Sequence, residues 1–266
     1  MTNPAAPLVW PAEGLTRVPN QIYADPAVYA GEKDKIFHGP VWQFVGLEAE
    51  IPDPGDFKTS FIGETPVIVV RDRDGGVNVL ENRCAHRGAL VCLRERGNAR
   101  SLNCVYHSWN YSLKGDLIGV AFERGVNGLG GMPPGFDKSR HGLRKLRVER
   151  LNGLIFATFS ADTRPLAEYL GPEILERVRR VTAKPLRLLG TSRQLLHNNW
   201  KLYVENVKDS YHASLLHSFF ATFKLNRLTM RGGIVVDASG GHHVSWSMGA
   251  QDVELSLIHI SEPTRR

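Results

Sequence analysis

Four residues in this 266-residue chain stand out for the chemistry their types and spacing allow: Cys84 and His86 in "CAHRG", then Cys104 and His107 in "CVYHSW". They read C-x-H, seventeen intervening residues, C-x-x-H. Thiolate and imidazole are ligands for soft and borderline metals, and two short loops carrying one of each can close around a metal centre. One solution is a tetrahedral zinc held by two cysteines and two histidines. The order of ligands points elsewhere. Zinc ribbons and fingers usually pair like with like, whereas each loop here offers one thiol and one imidazole.

That arrangement is what two irons sharing two loops require, with both thiolates on one iron and both imidazoles on the other, as in a Rieske [2Fe-2S] centre. The spacing favours this reading over zinc. Neutral imidazole in place of anionic thiolate lessens the charge repulsion in the reduced cluster, so the centre accepts single electrons at a higher potential than an all-cysteine one. Cys92 lies between the two loops without a partner motif and reads as a buried, inert thiol. Arg87-Gly88, Tyr106 and Trp109 are placed to shape the loops or cover the sulfurs, and could equally be ordinary packing.

A second constellation follows in "ENVKDSYHASLLH": Asn206, Asp209, His212 and His217. Two neutral imidazoles in one short segment suit a divalent iron and, with one carboxylate, would make the facial triad whose open positions admit O2 and substrate. On an unbroken helix, residues five apart point about 140° away from each other. His212 and His217 therefore converge only if the helix breaks, bulges or ends between them. Asp209, three residues before His212, is placed to accept that ring's free N–H rather than to be the third ligand. His242 and His243 in "GGHH" read as non-ligands.

The elements that must position these residues are legible in outline. "TPVIVV", the turn "RDRDGG" and "VNVL" make a hairpin, and "LRVERL" and "GLIFATF" add strands. "PAVYAGEKDKIF" reads as a short helix ending near Gly39-Pro40. After Asp162 the pattern changes: "PEILERVRRVT" spaces Ile174, Leu175, Val178 and Val181 helically, "LRLLGTSRQLL" reads as β, "NNWKLYVENVKDSYHASLLHSFF" as mostly helical, and "GGIVVD" and "HHVSWSM" as strands. The expected class is α+β, with an N-terminal arm (1–40), an all-β [2Fe-2S] domain (41–160) and the first part of a catalytic domain (161–254).

The joined motifs resemble the large (α) subunits of Rieske non-haem iron ring-hydroxylating oxygenases, over about Trp10 to Met248. The likeness is strongest to the branch acting on aromatic carboxylates such as terephthalate, anthranilate and salicylate, through "ENRCAHRGAL", "GDLIGVAFERGV" and "NNWKLYVENVKDSYHASLLH". The resemblance implies a helix-grip catalytic domain, here incomplete, beside the Rieske domain. It implies a mononuclear Fe(II), and O2-dependent hydroxylation of an aromatic carboxylate with electrons from NAD(P)H through a reductase or ferredoxin. It further implies homotrimers or α3β3 assemblies in which one subunit's cluster serves the next subunit's iron, with an aspartate at the Asp209 position bridging the two through the ligand at the His107 position.

The family's third iron ligand is a carboxylate well over a hundred residues beyond the histidines, and here only 49 residues follow His217. Asp237, Asp252 and Glu254 do not sit where the motif places it. The end, "LSLIHISEPTRR" (255–266), reads as a translated sequencing-library adapter, so native sequence is expected to stop near Glu254. Without that tail the formal charge falls from +6 to +5, since one Glu and two Arg are removed. Little or no turnover is expected of such a truncated chain. An electron-transfer Rieske protein and a zinc-stabilised binding module are the competing readings. The basic balance lacks a nucleic-acid recognition motif, and no run approaches a membrane span, so a cytoplasmic protein without nucleic-acid or membrane partners is expected.

Overall fold

The computed structural model describes residues 8–12, 14, 17–209, 212–223 and 231–248. Asp252, Glu254 and the 255–266 tail lie outside the described residues. The chain divides into two compact units, the first comprising residues 1–169 and 178–193, the second 170–177 and 194–266.

Unit 1 opens with α1 (Gln21–Ala24) and α2 (Pro26–Glu32), and α2 is N-capped by Asp25, whose side chain accepts from Ala27 N at 2.8 Å. The expected helix over 26–37 continues past α2 as a π-turn, Lys33–Phe37. The strands β1 (Gln43–Leu47), β2 (Asp56–Ile62), β3 (Thr65–Arg71), β4 (Val77–Glu81), β5 (Arg96–Asn98), β9 (Lys145–Leu151) and β10 (Leu154–Thr158) form one antiparallel sheet, ordered β1-β10-β9-β4-β3-β2-β5. A smaller sheet comprises β6 (Leu102–Asn103), β7 (Asn110–Tyr111) and β8 (Leu117–Gly119).

The run "VIVV" in β3 is apolar throughout because both faces of that strand are covered. Side chains alternate across a strand. Val67 and Val69 therefore pack with Val45, Ile62 and Ile155, while Ile68 and Val70 pack on the opposite side with Phe57, Cys84, Cys104 and Tyr111. The second of these cores is the one that supports the two Cys/His loops. At the β3–β4 turn, the Asp72 carboxylate accepts from Asp74 N, Gly76 N and Asn78 Nδ2, which fixes the hairpin.

α3 (Leu166–Val181) contains the predicted helix but begins earlier, and is interrupted where Gly171 adopts φ 72° and Pro172 restarts the turn. Pro suits a first helical position because its missing N–H would have no partner there. The β stretch expected over "LRLLGTSRQLL" (186–196) is a correction: these residues adopt no strand. Strand propensity reflects packing on a half-buried pleated surface, and Leu189 and Leu195, which are 90% and 82% exposed, have no such surface beneath them.

Within unit 2, α4 (Trp200–Lys208), α5 (Ala213–Leu216) and α6 (Ser218–Thr222) precede an antiparallel hairpin, β11 (Gly232–Val236) and β12 (His243–Ser247). The class is α+β and sheet-dominated. No helix among the described residues is long and apolar enough to cross a membrane.

Candidate metal centres

The two Cys/His loops share one backbone pattern. Cys84 N donates to Ala89 O and Gly88 N to Cys84 O; likewise Cys104 N donates to Trp109 O and Ser108 N to Cys104 O. The residue four after each cysteine takes a left-handed conformation, Gly88 at φ 70° and Ser108 at φ 54°. Glycine does so without strain and serine does not, so Ser108 is held there by the loop closing around it.

The first loop leaves β4 and the second joins β6 to β7, placing both cysteines in the core at 4% and 2% exposure. The His86 and His107 rings approach to 4.6 Å between centroids, edge to face. His86 stacks on buried Trp109 (4.8 Å, 12° between planes), and His107 lies against exposed Tyr106 at 3.8 Å. Burial, with His107 and Arg87 nearby, lowers the His86 pKa and so favours the neutral imidazole that binds metals. No three thiol, imidazole or carboxylate donors among the described residues converge as a single ion requires. One thiol and one imidazole from each loop, with both thiols buried and both imidazoles paired, is the donor set a two-iron cluster takes.

Two supports went unread in the sequence. The Tyr111 hydroxyl, fully buried, lies 3.1 Å from Cys84 Sγ and accepts from Ala85 N at 3.1 Å. A metal-bound thiolate carries no proton, so in the loaded site the Tyr111 hydroxyl would donate to the Cys84 sulfur; burial first, then that sulfur, raises the Tyr111 pKa. Hydrogen bonds to cluster sulfurs stabilise the reduced, more negative state. Tyr111→Phe should therefore lower the cluster's reduction potential by a few tens of mV, as expected for losing part of a hydrogen bond worth about 1.5 kcal/mol, and spectroelectrochemistry would measure it. An unchanged potential would refute the donor role.

The other support is Asn82, 2% exposed, whose Oδ1 accepts from Val91 N and Cys92 N (both 2.9 Å) and whose Nδ2 donates to Cys92 O (2.8 Å). It ties the far end of the first loop to its start. Asn82→Ala leaves buried backbone groups unpaired and should cost about 2–3 kcal/mol in chemical denaturation. Cys92 is half-buried, and burial pushes its thiol up to about 11, as suits an inert side chain.

In unit 2, α4 ends at Lys208 and Asp209 caps it; α5 begins just after His212, and His217 falls in the break before α6. This interruption overcomes the angular obstacle of a five-residue spacing. The two rings stand 5.2 Å apart between centroids. Asp209 Oδ2 lies 3.1 Å from His212 Nδ1, and Asn206 Nδ2 lies 3.3 Å from His212 Nε2. With the Nδ1 proton given to Asp209, Nε2 keeps its lone pair for a metal. Asp237 is committed elsewhere: its carboxylate accepts from Ser239 Oγ, Ser239 N and His242 N, which lowers its pKa to about 2 and closes the β11–β12 turn. Among the described residues no carboxylate joins the two imidazoles as a third donor.

The comparisons agree with this geometry. Residues 41–129 match the model of the Rieske [2Fe-2S] domain. The chain therefore carries a Rieske [2Fe-2S] domain over that span. It is 57% identical over 246 residues to the terephthalate 1,2-dioxygenase terminal oxygenase component subunit alpha 2 of Comamonas sp., covering 91% of this chain and 60% of that protein. It is 51% identical to the anthranilate 1,2-dioxygenase large subunit of Burkholderia cepacia, covering 90% and 56%. Naphthalene 1,2-dioxygenase from Rhodococcus sp., bound to indole, superposes with a TM-score of 0.76 at 31% identity, covering 89% of this chain and 54% of that one. The chain thus spans a little over half the length of these relatives.

Proposed function

We propose that this chain supplies the electron-accepting and iron-binding parts of the large subunit of an aromatic ring-hydroxylating oxygenase. What carries the reading is the presence in one chain of both constellations: paired Cys/His loops in unit 1 and, in unit 2, two imidazoles with an aspartate behind one of them. Cys84 and Cys104 would hold one cluster iron and His86 and His107 the other. Bound there, such a cluster would supply one-electron chemistry, with electrons drawn from NAD(P)H through a reductase or ferredoxin. His212 and His217 would hold the mononuclear Fe(II), where O2 and substrate meet.

The chain's own residues then have distinct tasks. Tyr111 and Ala85 N–H form a relay that holds charge at Cys84, while Trp109 backs His86. Asp209 fixes the His212 tautomer, and Asn206 occupies the open side of Nε2. The relatives' names support an aromatic carboxylate as substrate, since terephthalate and anthranilate are both aromatic acids. A cytoplasmic homotrimer or α3β3 assembly completes the proposal.

Metal and sulfide analysis of the anaerobically purified chain tests this reading. It should be red-brown, carry about two irons and two sulfides in the cluster, and give a Rieske-type EPR signal after dithionite reduction. Zinc without sulfide would overturn the reading.

A further inference from the structure

We propose that a cavity beside the Cys104 loop of unit 1 binds a small aromatic carboxylate, with the ring inward and the carboxylate against Arg94. All the residues lining it belong to unit 1, whereas His212 and His217 belong to unit 2. It is a ligand position additional to the one beside those histidines, and only its electrochemical readout rests on the oxygenase reading above.

The cavity holds about 300 Å³. Phe57, Val91 and Leu102 form its floor, and all three are buried in the core that contains Cys84 and Cys104. The pairing of β2 with β5 fixes Phe57 there: it faces Gly97, where a Cβ would come within 2.9 Å of the ring. Leu93 and Val105 stand at the rim, 65% and 64% exposed. Asn103 and Val105, the two neighbours of Cys104 in the chain, both line the cavity, so an occupant lies beside that cysteine. An apolar cavity of about 150 Å³, half this volume, already takes up benzene, so one ring and its carboxylate fit.

Charge selects the occupant. Among the described residues that line the cavity Arg94 is the one cation, and there is no carboxylate. Arg94 is exposed and forms no ion pair among the described residues. Cys92 also lines the cavity, and its thiol, pushed up to about 11 by burial, stays neutral and repels no anion. A guanidinium grips a carboxylate through two parallel charge-assisted hydrogen bonds, which a neutral ligand cannot match. A second cavity, of about 410 Å³, lacks this combination: its Lys58 and Arg96 are spent on Glu50, each at 2.7 Å, and its Arg193 on Glu95 at 2.8 Å. The cavity at Arg94 offers both an apolar seat and an unspent cation.

Calorimetric titration of the cluster-loaded chain with sodium benzoate tests this, with benzamide as a neutral molecule of similar shape. Benzoate should bind at one site with a dissociation constant of about 1 mM or below, and benzamide about tenfold more weakly. Arg94→Gln should weaken benzoate about tenfold and leave benzamide unchanged, while Leu93→Asp, which sets a like charge at the rim, should weaken benzoate several-fold. Both side chains are exposed, so the fold and the EPR signal should persist. His217→Ala should leave benzoate binding as it was. Reduction adds a negative charge beside the bound anion, so affinity should fall about threefold; by linkage, saturating benzoate should lower the cluster's potential by roughly 30 mV, at about 59 mV per tenfold.

Absence of saturable binding, equal binding of benzamide or indifference to Arg94→Gln would overturn the proposal. So would loss of binding in His217→Ala, which would move the anion to the histidine pair, or an unchanged potential at saturation, which would place it away from the cluster. Displacement of benzoate as the chain concentration rises would give the cavity to a second copy and likewise overturn it. A chain without iron and sulfide would sink the oxygenase reading instead, and titration of that chain with benzoate would still decide the cavity.

Discussion

Cys104→Ala should yield a colourless protein with neither iron nor sulfide, while His107→Cys should keep both and lose most of its reduction potential. The first expectation follows from ligand count. Cys104 is buried in the core that includes Cys84, and the remaining cysteine, Cys92, packs on the margin of that core with its carbonyl bound by Asn82 and its thiol pushed up to about 11, which disfavours the thiolate a replacement ligand needs. The second follows from charge. Exchanging a neutral imidazole for an anionic thiolate makes the added electron more costly, which should shift the potential down by roughly 200 mV or more, toward the about −400 mV of all-cysteine clusters. Iron and sulfide assays with spectroelectrochemistry give both readings. A zinc site would behave oppositely, because zinc accepts cysteine for histidine and stays colourless throughout. A red-brown Cys104→Ala protein would remove Cys104 from the cluster.

How much of this was legible in the sequence depends on the range over which each interaction acts. The four cluster residues could be read because a metal admits few side-chain types and short loops constrain their spacing. The hairpin of β3 and β4 could be read because a β-branched run and an Asp-Gly turn act locally. The broken helix around His212 and His217 followed from helical angles alone. By contrast, Tyr111 reaches Cys84 across 27 residues, and nothing in "WNYSL" distinguishes a tyrosine whose hydroxyl points at a sulfur from one that merely packs. Trp109 stacking on His86 is equally non-local.

The misreading at 186–196 has the same origin. Alternating leucines announce a strand only if a neighbouring strand and a surface to cover are present, and neither is a property of the segment itself. Asp237 stood off the motif position in sequence, and its three hydrogen bonds to the turn that follows consume its carboxylate. Asx chemistry in "DASGGH" is a local signal that would have revealed this.

His217→Ala should abolish binding of Fe(II) beyond the cluster's own iron while leaving cluster iron, sulfide and EPR unchanged. The cluster residues lie between 84 and 107 and the second constellation between 206 and 217, so this substitution removes no cluster ligand. Among the described residues only two imidazoles face each other at this place, and removing either leaves a single nitrogen, too little to hold a borderline divalent ion. Asp209→Asn should be milder. The amide can accept the Nδ1 proton of His212 but no longer offers a charge to it, so Fe(II) affinity should weaken about 10- to 100-fold, the usual cost of losing the partner behind a ligating histidine. Asn206→Ala should move the affinity least, because its amide meets the same Nε2 that iron would take and must withdraw when the metal arrives. Anaerobic equilibrium dialysis with Fe(II), counting cluster iron separately through sulfide, ranks the three variants. Unchanged affinity in His217→Ala would dismiss the histidine pair as an iron site and leave the chain as an electron-transfer protein; a graded loss in the order His217, Asp209, Asn206 would mark ligand, orienting partner and displaceable neighbour in turn.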